Sequence, residues 1–227
     1  MPTVDLPVDS ALARRLRGFG PLGITAFIVI ALVGPMLQPI TGGILVLLWV
    51  SASQTPWRAI GYVQPANWFR TVVGGVAFGI LFKLAMKILV MPFLGAPPIN
   101  SAYHYLVGNA AGMAAMAVYV IVAAGFGEET LYRGFLFERL EKLLGSGVGM
   151  KALIVLITSA WFAALHYRDQ GVPGMEQAAV TGIVFGTIFA RTGRIWMPMV
   201  AHAAFDLAAL AIIYWNLESV MAHLVFK

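Results

Sequence analysis

Apolar runs fill most of the chain, and the polar positions between them mark where helices must end. Residues 22–37 and 40–53 are two short apolar segments separated by Gln38-Pro39, and the spacing predicts a tight helical hairpin rather than one long broken span. Residues 56–70 form a loop flanked by Trp57 and Trp68, the residue type that collects at a membrane interface. Residues 71–91 are a third span, followed by a loop at 92–103 that holds no Lys or Arg. The next helix is expected from near Ala102 to Leu144, since only Gly134 weakens it after Glu128. A glycine-rich turn at 145–149 leads into a returning span at 151–167. A loop at 168–175 with Pro173-Gly174, a span at 176–190 and a last span at Trp196–Tyr214 complete the pattern. The expected fold is all-α: a multi-pass transmembrane bundle of about seven helices, six to eight at the limits.

Composition sharpens that picture. The chain has 227 residues, 60% hydrophobic and 11% charged, with a mean hydropathy of +0.84. A soluble domain carries about 25% charged residues, so lipid is the main solvent. Residues 1–20, with Arg14, Arg15 and Arg17, read as a cytoplasmic tail. Residues 21–227 read as one polytopic membrane domain. The net charge of +5 does not point to nucleic acid, because the basic residues flank apolar spans instead of alternating with aromatics along a stripe. Arg14–Arg17, Arg58 and Arg70, Arg139, Lys142 and Lys151, and Arg191 and Arg194 all fall on one side of the expected bundle. By the positive-inside rule that side is cytoplasmic, which places the N-terminus inside and the protein in the cytoplasmic membrane. The absence of cysteine excludes disulfides, thiolate metal sites and a cysteine nucleophile.

Three groups of ionisable residues interrupt the apolar runs: Glu128, Glu129 and Arg133; His166; and His202 with Asp206. Each charge inside a membrane helix costs roughly 2.5–3.5 kcal/mol on insertion scales, so such residues are solvated, paired or functional. Glu129 and Arg133 are four residues apart and can pair along one helix face, as can His202 and Asp206. Glu128 points elsewhere. If 102–144 and 151–167 form an antiparallel hairpin turning at Gly147, Glu128 and His166 are each 19 residues from the turn and share one depth. The bland accounts are a solvated helix edge for the glutamates, an interfacial His166, and a buried structural hydrogen bond for His202 and Asp206. Finding all three groups in one small protein favours function. Lys83 and Lys87 either snorkel to an interface or grip an anionic group. His104 and His223 read as interfacial.

Glu128-Glu129-x-x-x-Arg133, Phe162-x-x-x-His166 and His202-x-x-x-Asp206, in that order on successive membrane helices, resemble the CPBP intramembrane proteases, the family of CAAX-processing proteases and Abi proteins. The resemblance spans about 102–206, and it puts the catalytic core at about 102–215. It implies an endopeptidase acting on a peptide, or on the C-terminal segment of a membrane-associated protein that can be lipidated. By the same resemblance Glu128 activates a water with help from His166, His202 and residue 206 stabilise the oxyanion, and Glu129–Arg133 and Phe162 support the site. Position 206 is Asp where the prenyl-protein branch prefers Asn, and an ionised Asp donates no hydrogen bond. Asp206 is therefore protonated, orients His202, or binds metal. The last option keeps a divalent ion open, with Glu128, His166 and His202 as the three protein ligands of a catalytic zinc. The metal-dependent description, a metalloendopeptidase, is the favoured one, and a metal-free glutamate mechanism stays open beside it. Either version needs Glu128, His166 and His202 to converge on one pocket, expected to be fed from the cytoplasmic half.

Three other readings compete. A non-catalytic Abi-type scaffold conferring bacteriocin immunity would need no working base. A proton-relay transporter should show broken helices in paired repeats, and none is visible. Bis-histidine haem ligation leaves Glu128 without a role. No His-Glu-x-x-His helix or Gly-x-Ser-x-Gly elbow occurs in the chain.

Overall fold

A computed structural model describes residues 10–226, and residues 1–9 of the expected tail lie outside it. The order is α1 (Ala11–Arg17), α2 (Pro21–Leu37), α3 (Pro39–Ser53), α4 (Trp68–Phe93), α5 (Ala110–Leu144), α6 (Val148–Thr192), α7 (Trp196–Tyr214) and α8 (Glu218–Ala222), with no strand among the described residues. Helices α4 to α7 are each long and apolar enough to cross a membrane, and α1 with α2 forms a further pair bent by 58°. Their outward surfaces stay apolar, with Phe69, Leu81, Val118 and Leu156 all exposed, as lipid contact requires. The chain is an all-α, multi-pass membrane protein.

Helix α6 is two passes, not one. Straight, its 45 residues would reach roughly 68 Å, about twice the thickness of a hydrocarbon core. At Gly171, φ 64° and ψ −158° turn the chain back, a conformation open to glycine alone. The two arms then pack antiparallel: Gly182 faces Ser159, and Gly186 faces Val155. The expected loop at 168–175 is thus reduced to a one-residue reversal. Two further boundaries differ from expectation. Helix α5 starts at Ala110 rather than near Ala102, because Gly108 takes φ +65° and Asn109 Oδ1 caps Gly112 N at 2.9 Å. Part of the expected tail is the docked helix α1, where Trp49 Nε1 donates to Leu16 O at 3.3 Å and Arg17 Nη1 to Ser53 O at 2.9 Å.

Glycines set how closely the core helices approach. A Cβ on Gly43 of α3 would lie 2.8 Å from Gly127 Cα of α5, and one on Gly125 would lie 2.9 Å from Ala203 Cβ of α7. Helix α5 is therefore pressed between α3 and α7 at the level of its two glutamates. It is π-helical over Val120–Glu128 and Thr130–Leu136, a winding that recurs at functional sites. Helix α4 crosses α7 at Gly79, where a Cβ would sit 2.2 Å from Ala201 O. Gly79→Ala is accordingly expected to push α4 off α7 and destabilise the protein by about 1–3 kcal/mol, read as a lowered unfolding temperature in detergent. An unchanged value would mean that this crossing does not hold α7 in place.

Candidate active site

Glu129 sits at the centre of the buried polar cluster. Its Oε1 accepts from Arg133 Nη1 at 2.8 Å and from His202 Nδ1 at 2.7 Å. The carboxylate is fully buried and Arg133 is only 2% exposed, so the pair is sealed from solvent. Arg133 also donates through Nη2 to Gly182 O at 3.4 Å, and its guanidinium lies 5.2 Å from the Phe162 ring and 5.8 Å from that of Phe185. The expected Glu129–Arg133 pair is present. The spacing gave no sign of the second bond, from Glu129 across to α7.

A cavity of about 1120 Å³ opens beside this cluster, lined by Glu128, His166, His202 and Asp206. His202 Nε2 lies 3.7 Å from Glu128 Oε2 and 3.7 Å from Asp206 Oδ2. His166 Nδ1 is 2.8 Å from Phe162 O, and since a carbonyl only accepts, that nitrogen carries the proton. Both imidazoles thus hold Nδ1–H on a fixed acceptor and leave Nε2 free for other chemistry. The shared depth expected for Glu128 and His166 agrees with the packing one turn further along both helices, where the Tyr132 and Phe162 rings meet at 4.9 Å. Phe162 also lies 4.4 Å from the His166 ring and 6.0 Å from that of His202, so it is a wall shared by both.

The loop before α4 steadies this part of α5. Thr130 Oγ1 donates its one proton to Phe126 O at 2.7 Å, so the 2.7 Å bond to Tyr62 must be donated by the phenol. Burial pushes the Tyr62 phenol up to about 12, and it remains a donor at any working pH.

Lys83 and Lys87, read from sequence as either snorkelling or gripping an anionic group, line the cavity together with Tyr103 and Gln177. Lys83 does not snorkel: it is 7% exposed, donates to Gln177 Oε1 at 2.8 Å and lies 4.8 Å from the Phe205 ring. Lys87 ties the α4–α5 connection down, donating to Pro98 O and pairing with Glu218 Oε1 at 3.3 Å. The Tyr103 phenol, also on the wall, is pushed up to about 12 by burial and by Asp206. His104 lies 3.9 Å from Glu218 and is half-exposed, while His223, just past α8, bonds back to Ser219 O.

The metal ligand set fares differently. Among the described residues no three His, Asp or Glu side chains are arranged to hold an ion. The donors as they stand do not fit the three-ligand zinc site. Access differs as well: the cavity opens at the end of the bundle away from the basic loops, not toward them.

Comparison with known proteins bears on the same helices. Residues 110–208 match the family model described as type II CAAX prenyl endopeptidase Rce1-like. Over 143 residues the chain is 24% identical to the uncharacterized protein YyaK of Bacillus subtilis (strain 168), a stretch covering 61% of this chain and 46% of that relative. The chain thus spans about half the length of the curated relative it matches. No solved structure matches.

Proposed function

We propose that this chain, whose residues 110–208 form a domain of the type II CAAX prenyl endopeptidase (Rce1-like) family, hydrolyses a peptide bond of a membrane-associated peptide or protein within its buried cavity. The observation that supports this most is the assembly of Glu128, His166, His202 and Asp206 around one cavity, with His202 oriented from behind by Glu129.

The route needs only these side chains. Glu128 takes a proton from a water held between it and the free Nε2 of His166, and the hydroxide attacks the substrate carbonyl carbon. His202, protonated at both nitrogens, keeps Nδ1–H on Glu129 and turns Nε2–H toward the developing oxyanion. Its charge is balanced by the carboxylates of Glu128, Glu129 and Asp206 around it. Asp206 is a positioning residue here, which removes the need for it to donate a hydrogen bond. When the C–N bond breaks, Glu128 returns its proton to the departing amine. No step is assigned to a metal, because the donors do not close on one.

The test is purified protein in liposomes, given a mixture of membrane-inserting peptides in H₂¹⁸O. New C-termini carrying ¹⁸O are expected from wild type and not from His202→Ala, in a preparation without stoichiometric zinc and with chelator present. One zinc per chain that disappears in His166→Ala would replace this route with a metal-dependent one. Absence of new termini under every condition would sink the peptidase reading.

A further inference from the structure

The mouth of the cavity and the basic loops lie at opposite ends of the bundle. The cavity wall reaches the α2–α3 turn at 35–39, the α4–α5 connection at 96–103, the α6 reversal at 168–174, and Glu218 at the start of α8. Among the described residues none from 54–67, 139–151 or 191–196 lines it. Toward that second end the floor is sealed. Leu131, Tyr132, Arg133 and Phe135 are all buried, and Tyr62, from the loop at that end, reaches in to bond Thr130.

The sealed end is also the cationic one. Arg17 reaches Ser53 O, Arg139 Nη1 donates to Arg17 O at 2.7 Å, and Lys151 pairs with Glu141 at 3.5 Å, which fixes α1, α5 and α6 at one level. Arg58 and Arg194 lie in the short connections at that end, and Arg70 and Arg191 in the terminal helix turns beside them. Around the mouth, Arg168 adjoins Asp169 in sequence and Glu218 lies close to Lys87 and His104. Short loops rich in Lys and Arg stay in the cytoplasm, while acidic residues contribute little to orientation.

From this asymmetry we propose that the cavity is served from the non-cytoplasmic face, so its substrate is a peptide segment presented at or inserted through the outer leaflet, not the end of a cytosolic chain. The word substrate rests on the peptidase reading; the direction of access does not. A cytosolic chain would meet the packed floor and the cationic loops. A segment arriving from outside meets an open vestibule that descends past Tyr103 and Gln177 to Glu128.

The absence of cysteine makes the test direct. Ser101→Cys at the mouth and Ser146→Cys at the opposite end are both exposed positions. Gln177→Cys lies on the vestibule wall. In intact cells, a membrane-impermeant maleimide is expected to label Ser101→Cys, and to label Ser146→Cys only after permeabilisation. A small water-soluble methanethiosulfonate should reach Gln177→Cys from outside. The reverse labelling pattern, or labelling of both serine positions from outside, overturns the proposal. So does an outward Ser101 with a Gln177→Cys that reacts only after permeabilisation. These readings need no turnover. A protein with the expected labelling that cleaves no peptide would sink the peptidase reading and leave the access route standing.

Discussion

Glu128→Gln is expected to lower peptide hydrolysis by about 10²- to 10⁴-fold, the usual contribution of a general base, while membrane levels and unfolding temperature stay at wild type. The substitution keeps side-chain length and shape and removes only the ability to accept a proton. Glu128 suits the test because the bundle does not rest on it: its closest ionic neighbour is His202 Nε2 at 3.7 Å, beyond hydrogen-bond range. Glu129, one residue on, is tied into two other helices and would confuse loss of chemistry with loss of structure. Cleavage products would be counted in liposomes, with circular dichroism melting as the control. Full activity in Glu128→Gln would move the base elsewhere. A peptide-binding scaffold predicts no effect on its function at all.

The residues that could be picked from the chain were those whose cost betrayed them. A carboxylate or imidazole in an apolar run needs a reason, and Glu128, His166 and His202 stood out on that ground alone. Their common depth was also readable, because two helices counted outward from one turn at Gly147 climb at the same rate. The Tyr132–Phe162 ring contact confirms that register. What remained hidden was which way each helix faces. In lipid, core-facing and lipid-facing positions are both apolar, so periodicity carries little rotational information. The glycine crossings at Gly43, Gly79 and Gly125, which fix those rotations, resemble any other glycine in sequence. The bond from Glu129 to His202 spans 73 residues and depends on those rotations. The same lack of rotational information left two readings open for Lys83, whose burial beside Gln177 accompanies the close approach of α4 to α7 at Gly79. Pro173 and Gly174 signal a loop in the sequence, whereas a single residue, Gly171, in a conformation open to glycine suffices for the reversal.

Arg133→Met should be the most damaging single change in the fold. It deletes the partner of a fully buried carboxylate, and breaking a buried ion pair in this way costs about 3–5 kcal/mol because the remaining charge stays desolvated. Only the bond from His202 would then compensate Glu129. The same change empties the space between Phe162 and Phe185, on which the guanidinium rests. Replacing both partners, in Glu129→Leu with Arg133→Met, removes the stranded charge and should recover most of the lost stability, since apolar substitutes for buried pairs are often neutral. Activity should not return with it. Without Glu129, nothing holds the proton on His202 Nδ1, and the ring can rotate or take the other tautomer, so Nε2 no longer serves the cavity. Unfolding temperatures in detergent and peptide cleavage, measured on the single and the double variant, separate the two roles. Equal stability of single and double variants would show that the pair does not hold the helices. Restored cleavage in the double variant would show that Glu129 does not position His202, and that the polar cluster behind the cavity is structural alone.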